Sequence, residues 1–385
     1  MTNQLNITRL TVTHYQYELP DLALEPKYGF DTLYTPGGRL TKSESILTIE
    51  TSAGIHGEVP GSVDARTAQY LLGRDPLQRE IIWHDLKRSR RQPDATPPSA
   101  VDTALWDIAG KLYEVPVYQL LGGWRKKLPA YASTYHGDEN GGLSTPEAYA
   151  EFALLCKETY GYPAFKIHGW VHGPIEREAA AVLAIREAVG DDMALMIDPA
   201  GAFGTFDDVV RVGRACDEAR YMWYEDAFRG GGFSQFAHAK LRELIKTPLL
   251  MGEHIRGLEA KMDTIHARAT DYVRANADMD GGITGVMKIA AIAEASGLDV
   301  ELHGGGLAHR HCMASIRNTN YFELGVGIDK VRHTKALIYP DRQWLDEVDS
   351  VDAQGCVDVP EGVGLGVPMD WEWINAHKTG EVVFE

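Results

Sequence analysis

Three carboxylates, Asp198, Glu225 and Glu253, each close a short apolar run, and they stand about 27 and 28 residues apart, the length of one strand–helix unit. The runs are Ala194 to Ile197, Tyr221 to Tyr224 and Pro248 to Gly252, and each is followed by a helix-like stretch. If they are adjacent parallel strands, their C-terminal ends gather at one face and three oxygen ligands converge there. Three hard oxygen donors suit an octahedral Mg²⁺, which keeps positions open for water and substrate, better than they suit zinc. A cation held at that place stabilises negative charge that develops on the oxygens of a bound substrate. Any one of these acids alone is as well explained as a solvated strand end or a helix N-cap; the spacing of all three argues for a site.

Groups able to move a proton stand at neighbouring strand ends. Lys166-Ile167-His168 ends another apolar run, and alternation puts Lys166 and His168 on one side, toward the barrel mouth. His303 follows the run Leu298 to Leu302, across the mouth from them. A histidine is a neutral base near pH 7 with little perturbation. The residues leave open whether Lys166, His168 or His303 is the base. They also leave the plainer alternatives, Lys166 pairing with an acid and the two imidazoles satisfied in a packed rim.

The elements that must position these groups follow from the pattern. From Pro129 to Phe322 eight apolar runs alternate with helical patterns, the signature of a closed parallel barrel; the last, from Asn320, is the weakest of the eight. Residues 1–125 read as an α+β domain: strand-like Ile7 to Leu19 and Ile46 to Ser52, a hairpin turn at Ala53-Gly54, and a helix from Ser99 to Leu112. Residues 20 to 45 carry Pro, Gly, Asp and Tyr without periodicity and read as a long loop, with Tyr28, Asp31, Tyr34 and Arg39 as candidate contacts for a hydroxylated ligand. The expected division is 1–125 for this domain, 126–350 for the barrel, and 351–385 for a segment that returns to pack on the first domain. His309, Arg310 and His311 follow Gly304-Gly305-Gly306 and are expected to be ordinary loop residues.

Bulk properties narrow the class. With 44% hydrophobic and 24% charged residues the chain is an ordinary globular protein. A formal charge of -17 argues against binding nucleic acid along its phosphates, though not against a small anion beside a metal ion. No signal peptide or membrane-spanning run is evident, so a cytoplasmic protein without a membrane partner is expected. Cys156, Cys216, Cys312 and Cys356 are scattered, so reduced and mostly buried thiols are expected. The glycine runs Gly230 to Gly232 and Gly304 to Gly306 lack the strand–turn–helix context of a nucleotide loop.

The chain resembles the enolase superfamily, and within it the mandelate racemase subgroup that includes the acid-sugar dehydratases. Besides the three carboxylates, the likeness rests on Ala104-Leu105-Trp106-Asp107-Ile108-Ala109-Gly110-Lys111, on Pro116 to Gly123, and on Gly281-Gly282-Ile283-Thr284. It implies a modified (β/α) TIM-type barrel under an α+β cap, one Mg²⁺ on Asp198, Glu225 and Glu253, a symmetric homo-oligomer, and removal of a proton α to a carboxylate. Such sites use Lys or His bases beside Mg²⁺. The family pattern at the second strand is Lys-x-Lys; here His168 stands at the second place. The family's Asp that orients the seventh-strand histidine is matched by Asn276, with Asp278 and Asp280 nearby as replacements. Glu323 matches an acid that hydrogen-bonds the substrate carboxylate, as a protonated or proton-sharing group. Ala200 stands where Asn is frequent. The implied activity is dehydration of an aldonate or aldarate to a 2-keto-3-deoxy acid, with racemase or epimerase, or a non-catalytic metal- and acid-binding barrel, as rivals.

Overall fold

In a computed structural model of the chain, residues 5–385 are described apart from 28, 30, 31, 91–95, 231 and 332. Strands β1 (Ile7–Leu24) and β2 (Thr32–Thr51) form one long antiparallel hairpin, and β3 (His56–Pro60) follows a turn in which Gly54 takes φ 73°. Alternation becomes burial: Leu10, Val12, Ile46 and Ile49 face inward. The stretch 20 to 45, expected as a loop, is mostly strand, with Leu19 opposite Leu40 and Leu22 opposite Tyr34. Pairing to a regular partner satisfies its backbone groups despite the Pro and Gly content. The irregularity is confined to a bulge after Pro20, where Asp21 turns left-handed and accepts from the Gly37 N–H at 2.7 Å. Tyr28 and Asp31 lie outside the described residues.

The barrel strands are β4 (Lys127–Thr134), β5 (Ala164–Ile167), β6 (Ala194–Ile197), β7 (Trp223–Glu225), β8 (Leu249–Met251), β9 (Tyr272–Ala275), β10 (Asp299–Leu302) and β11 (Phe322–Val326). All pair in parallel with their sequence neighbours through β10, and β11 pairs with β4 on the far side. Among the described residues no ladder joins β10 to β11. Side chains bridge that seam: Glu301 accepts from the Asn320 amide at 2.6 Å and from the Asn320 N–H at 3.2 Å. The eighth strand therefore begins at Phe322 rather than Asn320. Tyr131, Ala164, Met196, Trp223 and Leu250 fill the barrel beneath its mouth.

Two short strands of the C-terminal region extend the sheets. β12 (Cys356–Asp358) pairs with β4, and β13 (Lys378–Phe384) adds to β1, giving a cap sheet in the order β13-β1-β2-β3. The C-terminal residues thus serve both barrel and cap. His309, Arg310 and His311, expected in a loop, are buried in a helix spanning Leu307–Ser315. The glycine run ends at the start of that helix, and all three side chains are used: His309 accepts from the Ala277 N–H, Arg310 pairs with Asp346, and His311 accepts from the Tyr118 N–H.

The motifs outside the metal triad dock cap onto barrel. The helix Ser99–Leu112 carries Asp102, which accepts from the Thr284 N–H at 2.9 Å, and Trp106, whose indole donates to the Thr284 hydroxyl at 2.9 Å. Gly282 has φ 76°, and a Cβ there would lie 2.4 Å from Asp102, so both backbone conformation and approach require glycine. Cys156, Cys216 and Cys312 are buried, Cys356 is partly so, and all four are free thiols. No described helix is long and apolar enough to cross a membrane.

Candidate active site

Asp198 directly follows β6, Glu225 ends β7 and Glu253 lies two residues beyond β8, so three consecutive parallel strands deliver one carboxylate each to the same end of the barrel. One oxygen from each lies within 4.8 Å of the others. Asp198 and Glu225 are buried, and Glu253 is partly open. Three hard donors this close, reached from one side, fit Mg²⁺ with room for solvent or substrate ligands. Asp226 fixes the third ligand's backbone: it accepts from the N–H groups of Gly252 at 3.2 Å and Glu253 at 3.3 Å.

Cations balance the acids from below. Lys166, fully buried, lies 2.8 Å from Glu323, 3.1 Å from Glu225 and 3.5 Å from Asp198. Burial alone would push its ammonium down, but Glu225 and Glu323 outweigh it and hold it well above the ordinary lysine range. Arg274 on β9, also fully buried, places two nitrogens on the two oxygens of Glu225 at 2.7 and 2.8 Å, and reaches the Tyr131 hydroxyl and the Leu302 carbonyl, each at 3.2 Å. Its signal in the sequence is a lone charge in the apolar run Tyr272-Val273-Arg274-Ala275.

The two histidines are set up in opposite senses. His168 donates from Nδ1 to the Thr134 carbonyl at 2.6 Å, its backbone N–H donates to the Thr134 hydroxyl, and its Nε2 faces Asp198 at 3.2 Å. Burial pulls its pKa down, but Asp198 reverses the sign and raises it. His303 places Nδ1 2.9 Å from the Asn276 amide nitrogen. The Asp278 backbone N–H, which can only donate, is 2.6 Å from the other amide atom, so that atom is the oxygen and the NH₂ faces His303. Nδ1 of His303 therefore accepts, and its Nε2, 3.3 Å from Glu253, carries the proton. Burial pushes His303 down to about 4.

The structure settles where the other candidates stand. Asn276 itself meets His303. Asp280 instead accepts from the Asn276 N–H and faces Lys261 at 3.5 Å, while Asp278 is exposed. Glu323 accepts from the Gly304 N–H at 2.8 Å. Burial favours its neutral form, yet Lys166 and Arg274 hold it well below the usual carboxylate range. Of the two forms expected, protonated or proton-sharing, the two buried cations disfavour the protonated one, and Glu323 meets the Lys166 ammonium at 2.8 Å. Tyr34 lies away from the triad, its ring against Gly142 and under the Lys330 ammonium and its carbonyl accepting from Asn140. Arg39 is exposed and pairs with Glu18. Arg274, Thr134, Asp226 and His136, whose ring centroid is 5.3 Å from that of His168, are the site residues that sequence reasoning passed over.

Comparison with known proteins agrees with this geometry. Residues 37–122 match the N-terminal domain of the mandelate racemase and muconate lactonizing enzyme family, and residues 148–373 match the enolase C-terminal domain-like model. The chain is 27% identical to a D-gluconate dehydratase of Thermoproteus tenax, over 89% of this chain and 68% of the relative. It is 28% identical to a D-galactarolactone cycloisomerase of Agrobacterium fabrum, over 80% of this chain and 82% of the relative. The crystal structure of a D-glucarate dehydratase from Agrobacterium tumefaciens complexed with magnesium superposes with a TM-score of 0.84 at 28% identity, covering 98% of this chain and all of the other. With both domain models matched along its length, the chain belongs to the enolase superfamily, in the group of mandelate racemase and muconate lactonizing enzyme.

Proposed function

We propose that the protein is a Mg²⁺-dependent dehydratase of a sugar acid, with Asp198, Glu225 and Glu253 as metal ligands. The observation that carries this reading is the opposed hydrogen bonding of the two imidazoles. The Thr134 carbonyl takes the Nδ1 proton of His168, so in its neutral form this ring offers a lone pair at Nε2. The Asn276 amide donates to His303, so this ring offers an Nε2 proton. One in its neutral form is arranged as a base and the other as a hydrogen-bond donor to a departing oxygen.

The chemistry a bound Mg²⁺ supplies is electrostatic stabilisation of the negative charge that gathers on the substrate carboxylate as the α-proton leaves. Lys166, locked among Asp198, Glu225 and Glu323, adds a second fixed positive charge there. Nε2 of His168, in its neutral form, takes the α-proton, the bond from the β-carbon to its hydroxyl breaks while the Nε2–H of neutral His303 hydrogen-bonds to the departing oxygen, and the proton now on His168 passes to that oxygen. Water leaves with both rings back in their starting forms, and the enol tautomerises to a 2-keto-3-deoxy acid. Glu323 keeps Lys166 and the Gly304 backbone in place. Incubation with a panel of aldonic and aldaric acids and Mg²⁺, with assay for keto acid, tests the reading. Keto acid from at least one member is expected, and silence across the panel from folded, metal-loaded protein overturns it.

The second reading is an isomerase, favoured by the cycloisomerase among the relatives and by the placement of two imidazoles at one site. Solvent deuterium entering recovered acid without any keto product selects it.

A further inference from the structure

We propose that the cavity between the cap hairpin and the barrel mouth seats the second carboxylate of an aldarate on the Lys335 ammonium, so that dicarboxylic sugar acids are preferred to aldonates; this rests on the sugar-acid reading above. The cavity, about 350 Å³, is walled on the barrel side by Tyr135, Asp278, Gly306 and Lys335, which follow β4, β9, β10 and β11 in turn. The metal ligands are delivered by β6, β7 and β8, so the cavity takes up the other side of the mouth. Asp278 and Gly305 stand two residues beyond Asn276 and His303, and Glu323 is among the acids whose charge reaches Lys335. A substrate held by one carboxylate at the triad therefore extends past His303 toward this space. Its roof is one face of the hairpin, where the two-residue period sets Tyr17 opposite Lys42 and Leu19 opposite Leu40.

The cations of this cavity lack counter-charge. Lys335 gives one N–H to the Asp346 carbonyl at 2.6 Å; an ammonium has three, and among the described residues nothing accepts the others. The acids near it are engaged elsewhere. Asp346 takes Arg310 and the Gly306 N–H, and Glu347 meets His333 and Arg342, both at 3.0 Å. On the cap wall Glu44 accepts from the hydroxyls of Tyr15 and Tyr17, both at 2.9 Å, and Asp278 is exposed at the rim. Lys42 is half-buried and likewise has no ion pair among the described residues. Burial accordingly draws the Lys335 ammonium below the ordinary lysine range in spite of Asp346 and Glu347. Two uncompensated cations on one enclosed space favour an anion, and a carboxylate that an ammonium can hydrogen-bond is the strong form of that contact. The hydroxymethyl end of an aldonate brings no charge to it.

Galactarate and D-galactonate, like D-glucarate and D-gluconate, differ only in a carboxylate against a hydroxymethyl group at the far carbon. Lys335→Gln keeps a donor for the Asp346 carbonyl and loses the charge, whereas Lys335→Arg keeps the charge. Mg²⁺-loaded native protein and both variants are titrated calorimetrically with the two pairs, beside a thermal melt and the keto-acid assay. Native protein is expected to bind at least one aldarate about tenfold or more tighter than its matching aldonate. Lys335→Gln is expected to lose that preference while its affinity for the aldonate holds, and Lys335→Arg to retain it. Native protein that binds both members of each pair equally, favours the aldonates or binds none of the four acids overturns the proposal, and this outcome needs no variant to fold. Equal losses for both members in Lys335→Gln, or a preference that survives the change, also overturn it. Native protein that prefers an aldarate without forming keto acid overturns the dehydratase reading alone.

Discussion

Replacing Arg274 with methionine removes a guanidinium whose two nitrogens sit on the two oxygens of Glu225 at 2.7 and 2.8 Å, with both side chains fully buried. Breaking a buried ion pair from one side costs about 3–5 kcal/mol, because the remaining charge is left in a medium that solvates it poorly. Glu225 keeps Lys166 at 3.1 Å and the Trp223 indole at 3.2 Å, so the loss falls at the lower end, about 3 kcal/mol. In metal-free buffer that is a drop in melting temperature of about 4 °C for a chain of this size. The same change leaves Asp198, Glu225, Glu253 and Glu323 facing Lys166 with one cation fewer. A unit charge a few ångströms away at an effective dielectric of ~20 is worth about 3 kcal/mol, so a divalent cation gains more in the variant than in the native protein. The assay is a pair of melts, with EDTA and with saturating Mg²⁺, for Arg274→Met and native protein. The Mg²⁺-induced rise should be larger in the variant by about 1–3 kcal/mol of added stability. A variant as stable as native in EDTA, or one whose rise with Mg²⁺ is smaller, refutes the claim that Arg274 balances the metal ligands.

Asp198→Asn and Glu253→Gln each remove an anionic ligand, and calorimetry should show Mg²⁺ affinity falling by at least about tenfold; unchanged affinity would move the metal elsewhere. His168→Asn keeps a donor for the Thr134 carbonyl but no base, so exchange of the substrate α-proton into deuterated water should slow by about 10²–10⁴ while Mg²⁺ binding is retained; exchange at the native rate would transfer the base role to another group. Glu178, 4% exposed, accepts from the Trp170 N–H, and burial pushes its carboxyl up to about 7. Between its unfolded value near 4.3 and that figure the folded state holds a proton that the unfolded state has lost, so this group's contribution falls as pH rises through the window, by up to about 4 kcal/mol above it. Glu178→Gln should therefore be more stable than native protein at pH 8 and nearly equal at pH 5. A stability difference that is the same at both pH values excludes this account.

Much of the architecture was already legible in the chain. Apolar runs recurring at one strand–helix length declare a parallel barrel, because each strand must be buried on both faces and each helix on one. Acids at the ends of three consecutive runs then converge by geometry alone, and Asp198, Glu225 and Glu253 do. Lys166 and His168 followed from the two-residue period of a strand. The long hairpin of β1 and β2 was hidden because local composition, rich in Gly and Pro at 20 to 45, was outweighed by a regular partner strand. The helix at Leu307–Ser315 was masked by the glycine run that starts it.

Sequence by itself determined which side chains reach the mouth of the barrel, since strand period and repeat length are properties of the covalent chain. Only the tertiary structure decided what each does there, since charge state and tautomer depend on neighbours brought from distant strands. Glu323 is ionised because Lys166 and Arg274 face it. His303 presents a proton because the Asp278 backbone N–H orients the Asn276 amide, and His168 is drawn toward its charged form because Asp198 lies against its Nε2 while the Thr134 carbonyl takes its Nδ1 proton. None of these partners is adjacent in sequence to the group it governs, and a hydrogen bond or Coulomb interaction acts over a few ångströms of space whatever the number of residues between.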